Sequence, residues 1–107
     1  MIITTSGSPI AGEIYTLECS VSGTSDPATF QWLEGPPDNR TQLTGDAINS
    51  NSSVSQLRFS TLMASHGGLY TCKATVGSVV VERTVTLEVS RKYMYVLYSV
   101  MALFSKD

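Results

Sequence analysis

Apolar and polar residues alternate along most of this chain. Between Gly12 and Ser22, Tyr15, Leu17, Cys19 and Val21 alternate with Thr16, Glu18 and Ser20. That is the period of a strand with one wet face. The same period predicts a strand over residues 28–33, with Phe30 and Trp32 inward and Gln31 and Leu33 outward. Gly35-Pro36-Pro37-Asp38-Asn39 stops it, because prolines donate no ladder hydrogen bond. Residues 55–61 form the next clear strand, burying Leu57 and Phe59, and Leu62 closes its end. Residues 69–76 bury Tyr70, Cys72 and Ala74, and residues 80–89 bury Val85, Leu87 and Val89. Gly77-Ser78 between them makes a tight turn. Residues 2–10 supply a first strand, broken near Pro9. The stretch 40–50 is weakly patterned and holds two short strands, over 41–44 and 47–50. Short strands at regular turn spacing read as an all-β sandwich.

Composition narrows the classes of function. A chain of 107 residues is one domain with a modest core. The net charge is −2 and charged residues make up 15%, with no basic stripe, which argues against nucleic acid as a partner. Two cysteines without a Cys-x-x-Cys or Cys/His cluster argue against a metal site. The one histidine lies in a turn with no nucleophile near it in sequence. The acids Glu13, Glu18, Asp26, Glu34, Asp38, Asp46, Glu82 and Glu88 scatter over turns and outward strand positions, whereas a carboxylate-pair hydrolase needs two that converge. No phosphate-cradling loop appears. The expectation is therefore no enzyme, no cofactor and no metal.

The arrangement of Cys19, Trp32 and Cys72, with Tyr70 two residues before the second cysteine, resembles the immunoglobulin superfamily. The segment Leu57-Arg58-Phe59 through Leu62, His66, Gly68, Tyr70 and Cys72 follows that family's pattern almost position for position. The resemblance covers about residues 5–90. It implies an immunoglobulin-like antiparallel β-sandwich of Greek-key topology over residues 1–90. It also implies one inter-sheet disulfide, Cys19–Cys72, packed on a core of Trp32, Tyr70, Leu57 and Phe59. The spacing leaves room for one short strand after the tryptophan strand, not a full variable-type hairpin, which points to the intermediate or constant-2 type. Tyr70 takes the place of the tyrosine whose hydroxyl bonds back to the turn backbone.

What the resemblance implies for function is protein–protein binding, homophilic or heterophilic, by a cell-adhesion molecule or receptor ectodomain outside the cytosol. The outward sheet face of Gln31, Leu33, Thr71, Lys73, Thr84 and Thr86 is the candidate binding surface, and a weak homodimer is expected, either through this face with its few charges or through the apolar stretch 93–104. The rival readings are an immune or allorecognition ligand-binding domain and a structural spacer in a tandem immunoglobulin array. The short loops at 23–27 and 76–79 speak against the first; the redox state of the cysteines decides the second. Asn39-Arg40-Thr41 and Asn51-Ser52-Ser53 are glycosylation acceptor triplets, or merely polar turns.

Two features depart from the family pattern. His66 stands where the family has an aspartate, and the matching arginine region reads Gly45-Asp46. His66 either faces Asp46 with the charge order inverted or is a solvated turn residue. The second departure is residues 91–107. Their stretch 93–104 is nearly all apolar, yet as a helix it spans about 18 Å, against a hydrocarbon core of about 30 Å. It reads as a truncated anchor, a non-native or alternatively spliced end, or a segment that packs on the domain or a partner. The first seven residues are not a signal peptide. A secreted parent would make this chain a fragment with Met1 an added start.

Overall fold

The structure is a computed structural model and describes residues 1–91. Of the expected tail 91–107, everything after Arg91 lies outside the described residues.

Eight strands form. They are β1 (Ile2–Ser6), β2 (Tyr15–Ser20), β3 (Ala28–Glu34), β4 (Thr41–Leu43), β5 (Ile48–Ser50), β6 (Val54–Phe59), β7 (Gly68–Val76) and β8 (Val79–Leu87). A 3-10 turn, Ala64–His66, precedes β7. The strands build two antiparallel sheets, in the orders β1-β2-β6-β5 and β4-β3-β7-β8. Consecutive strand pairs alternate between the sheets, so the chain crosses the core three times and closes a sandwich. After β4 the chain passes directly to β5 in the other sheet, so one short strand follows β3, as the spacing predicts.

Period-two burial explains this arrangement. On β2, Tyr15, Leu17 and Cys19 are buried, and Leu57 joins them from the neighbouring strand β6; across the core lie Trp32 on β3, Tyr70 and Cys72 on β7, and Leu87 on β8. Phe59 packs against this cluster only partly buried, as do Phe30, Val85 and Val89. Several strands are shorter than the alternation suggests. The expected strand 55–61 ends at Phe59, and Leu62 turns inward to seal that end at 1% exposure. The first strand breaks as predicted, ending at Ser6 just before Gly7, Ser8 and Pro9. The Pro9 carbonyl accepts from the Ser90 amide (2.8 Å), and the Ala11 amide donates to Ser90 (2.7 Å). The chain thus leaves β1 in one sheet and makes a parallel bridge, Ile10–Ser90, just past β8 in the other.

Cys19 on β2 and Cys72 on β7 are joined as a disulfide, with Cα atoms 6.4 Å apart. A second link runs beside it. The Trp32 indole N–H donates to the Ser55 hydroxyl at 2.9 Å. Ser55 is the cross-strand partner of Cys19, and Trp32 that of Cys72. Four residues in one layer of the core therefore close a ring: two backbone pairings, one covalent bond and one hydrogen bond. Ser50 on β5 extends it, its hydroxyl 2.6 Å from that of Ser55.

Candidate functional site

The outer face of the β4-β3-β7-β8 sheet follows from the parity of its core. Because Trp32, Cys72 and Leu87 point inward, Gln31 and Leu33, Thr71 and Lys73, and Glu82, Thr84 and Thr86 point outward. Register sets them in rows. Leu33, Thr71 and Thr84 form one row, and Gln31, Lys73 and Glu82 the next. Thr86 lies across from Leu69. All six expected residues thus share one face.

They are not equally available. Gln31, Thr84 and Thr86 are exposed, while Leu33 and Lys73 are half-buried. Thr71 is a correction: it is 2% exposed and offers no contact surface. It occupies a central strand between Leu33 and Thr84, and its hydroxyl lies 2.9 Å from that of Thr84. The side chain is spent on bracing β7 to β8.

Arg40 and Glu82 also meet on this face, a pairing that no pattern along the chain reveals. Arg40, at the head of β4, reaches the Glu82 carboxylate on β8 at 3.3 Å. Two strands, β3 and β7, lie between β4 and β8. The pair therefore straps the sheet across its width. No local pattern marks such a contact, because it depends on how the β3–β4 turn folds. Gly35 shapes that turn: its φ is +112°, and a Cβ there would lie 2.7 Å from the Asn39 carbonyl. Only glycine fits.

Asn39 and Asn51 are both exposed and both in turns. The Asn39 amide donates to the Pro36 carbonyl at 2.9 Å. Asn51 uses its side-chain oxygen to accept from the amides of Ser53 (2.9 Å) and Val54 (2.8 Å). Its amide nitrogen takes no part in those bonds. The two readings of this triplet are therefore compatible: the oxygen makes the turn and the nitrogen remains accessible.

The corner before β7 is the other built feature. Tyr70 donates its hydroxyl hydrogen bond to the His66 carbonyl. Burial, and then the negative charge of Glu34, push the phenol up to about 12. His66 Nδ1 accepts from the Met63 amide at 2.8 Å. Its ring lies 5.0 Å from that of Phe59, which meets Tyr70 edge-on at 5.7 Å. Of the two readings of His66, the turn residue is the one observed, and among the described residues no ion pair joins it to Asp46. It is more than a solvated side chain, however, because its ring nitrogen satisfies a backbone donor. A cavity of about 300 Å³ opens beside this corner, walled by Leu43, Ile48, Leu57, Phe59 and Tyr70 among others. Its Tyr70 hydroxyl and His66 Nδ1 are already committed to the corner itself. Among the described residues no group of three or more His, Cys, Asp or Glu side chains is placed to hold a metal ion.

Solved structures share this architecture. The chain is similar to the titin M10–obscurin-like 1 immunoglobulin complex (18% identity, TM-score 0.62, 77% of this chain and 82% of that one). It is similar to the Dscam1 Ig7 domain (20% identity, TM-score 0.62, 82% and 96%). It is also similar to the twitchin kinase fragment of C. elegans (22% identity, TM-score 0.63, 84% and 20%). At these identities the likeness speaks for the fold. No curated protein matches in sequence at a significant level. Residues 2–75, more than half of the chain, match the family model described as the immunoglobulin domain, and the chain belongs to that family.

Proposed function

We propose that this immunoglobulin domain is an extracellular protein-binding module, part of a cell-adhesion molecule or receptor ectodomain. The observation that carries the reading is the buried Cys19–Cys72 bridge, since disulfides persist in oxidising compartments and are rare in the cytosol. The outer face supports it. Exposed Gln31, Thr84 and Thr86 surround half-buried Leu33 and Lys73 on a sheet strapped by the Arg40–Glu82 pair. Exposed Asn39 and Asn51 support a glycoprotein.

Mechanism in this reading is surface complementarity between ectodomains, with a second copy as one partner. Sedimentation of the full chain at rising concentration tests the homophilic form. Weak dimerisation that is lost with Leu33→Asp, and that survives in a form ending at Ser90, supports contact through this face. A monomer at every concentration removes the homophilic form and leaves a different protein as the partner. Loss on truncation alone assigns the contact to residues 91–107.

The second reading, a structural spacer in a tandem immunoglobulin array, is favoured by the similarity to titin and twitchin domains. It requires reduced cysteines if the array is cytosolic, which separates the two readings.

A further inference from the structure

Three of the four sheet edges are short: β4 and β5 have three residues each and β1 has five. The fourth, β8, has nine residues, with no proline and an antiparallel register to β7 unbroken from Val79 to Leu87. Among the described residues its other side carries no ladder; the Ile10–Ser90 bridge comes only after it ends. A long, regular edge of this kind is a template for another strand.

The turn that begins β8 settles which groups it offers. Gly77-Ser78 is a two-residue hairpin loop with φ of +61° at the glycine. In such a hairpin the flanking residues, Val76 and Val79, exchange both hydrogen bonds. Alternation then turns the N–H and C=O of Val80, Glu82, Thr84 and Thr86 away from β7, toward the free edge. Arg83 confirms this geometry, because its guanidinium folds back and donates to the Glu82 carbonyl at 2.9 Å.

Charge selects the partner. Around the middle of β8 lie Arg83, Lys73 across from Glu82, and Arg40 bound to Glu82. Arg40 already engages the Glu82 carboxylate, whereas Arg83 is exposed and reaches only a backbone carbonyl, so its charge is left for a partner's carboxylate. Arg83 is also the midpoint of β8. A second copy paired antiparallel over the whole strand would set Arg83 against Arg83, and like charges directly opposite oppose pairing. We propose that the free edge of β8 docks an extended segment of a different polypeptide, one that places a carboxylate opposite Arg83. That carboxylate draws the guanidinium off the Glu82 carbonyl and frees it for the incoming strand's amide. Val79 and Val80, 59% and 52% exposed, give the segment an apolar anchor at the head of the strand. The inference rests on the protein-binding reading above and names a surface distinct from the Leu33 face.

The test uses the full chain and two synthetic nine-residue peptides of alternating Thr and Val, one with Glu at the centre and one with Lys. Amide exchange followed by NMR reads the edge directly. The expected result is slowed exchange at Val80, Glu82, Thr84 and Thr86 with the Glu peptide. Its affinity should exceed that of the Lys peptide by about five- to tenfold, and Arg83→Glu should reverse the order. Edge amides already protected in the free chain, protection elsewhere, or equal binding of the two peptides would each overturn the proposal. Leu33-dependent self-association is measured separately, so failure at the edge leaves the wider binding reading standing or falling on its own.

Discussion

Ser55→Ala isolates the hydrogen bond that runs beside the disulfide. Ser55 and Trp32 are both 0% exposed, and the indole N–H has the Ser55 hydroxyl as its acceptor. Removing that oxygen leaves a buried donor without a partner, which costs about 1–3 kcal/mol. Ser50 also loses a contact, but it is exposed and water replaces it, so its share is small. The expected cost is about 2 kcal/mol. For a domain of this size that lowers Tm by roughly 8–16 °C. Urea unfolding followed by circular dichroism measures it: the midpoint should fall with an unchanged slope. A double-mutant cycle with Trp32→Phe then separates the bond from generic packing, because phenylalanine has no N–H to strand. The Ser55→Ala cost should shrink by at least about 1 kcal/mol in the Phe background. A cost below about 0.5 kcal/mol, or the same cost in both backgrounds, would refute the reasoning.

Tyr70 gives the fold an alkaline limit. Below its ordinary value of 10 the phenol is protonated in both states and its contribution is complete; between pH 10 and about 12 the unfolded chain ionises first and stability is lost, by on the order of 2 kcal/mol. Tyr70→Phe should flatten that part of a stability–pH curve relative to the other tyrosines and, by losing the bond to the His66 carbonyl, lower stability by about 1 kcal/mol at neutral pH. His66→Ala removes the acceptor of the Met63 amide and should cost about 1 kcal/mol, as loss of a cap does. His66→Asp should restore most of that, and ¹⁵N NMR of the wild type should find the Nε2–H tautomer; no recovery with Asp, or an Nδ1–H ring, would remove the capping role.

The sandwich was legible because its strands keep a strict period and its punctuation is strong. Tyr15, Leu17 and Cys19 mark one inner face, and Gly77-Ser78 fixes the hairpin that carries β8. The cysteine, tryptophan and tyrosine positions supplied the pairing and the corner. What escaped was set by register and by distant contacts. Alternation places Thr71 outward, but only the neighbours on β3 and β8 reveal that it is enclosed. Ser55 lies in phase with Leu57 and Phe59, so its parity could have marked it as an inward polar group facing the lone indole. The Arg40–Glu82 strap has no sequence signal at all, because a turn conformation brings the two together. His66 was read by charge, whereas its neutral ring nitrogen is what the turn uses.

The redox state of Cys19 and Cys72 in the native parent protein tests the account most directly. Thiols are blocked at the moment of lysis, the protein is digested without reductant, and the peptides are weighed. The account predicts a cross-linked pair of peptides containing Cys19 and Cys72, with neither cysteine alkylated before reduction. Two freely alkylated cysteines in the folded parent would contradict the extracellular reading and favour a spacer in a reducing compartment.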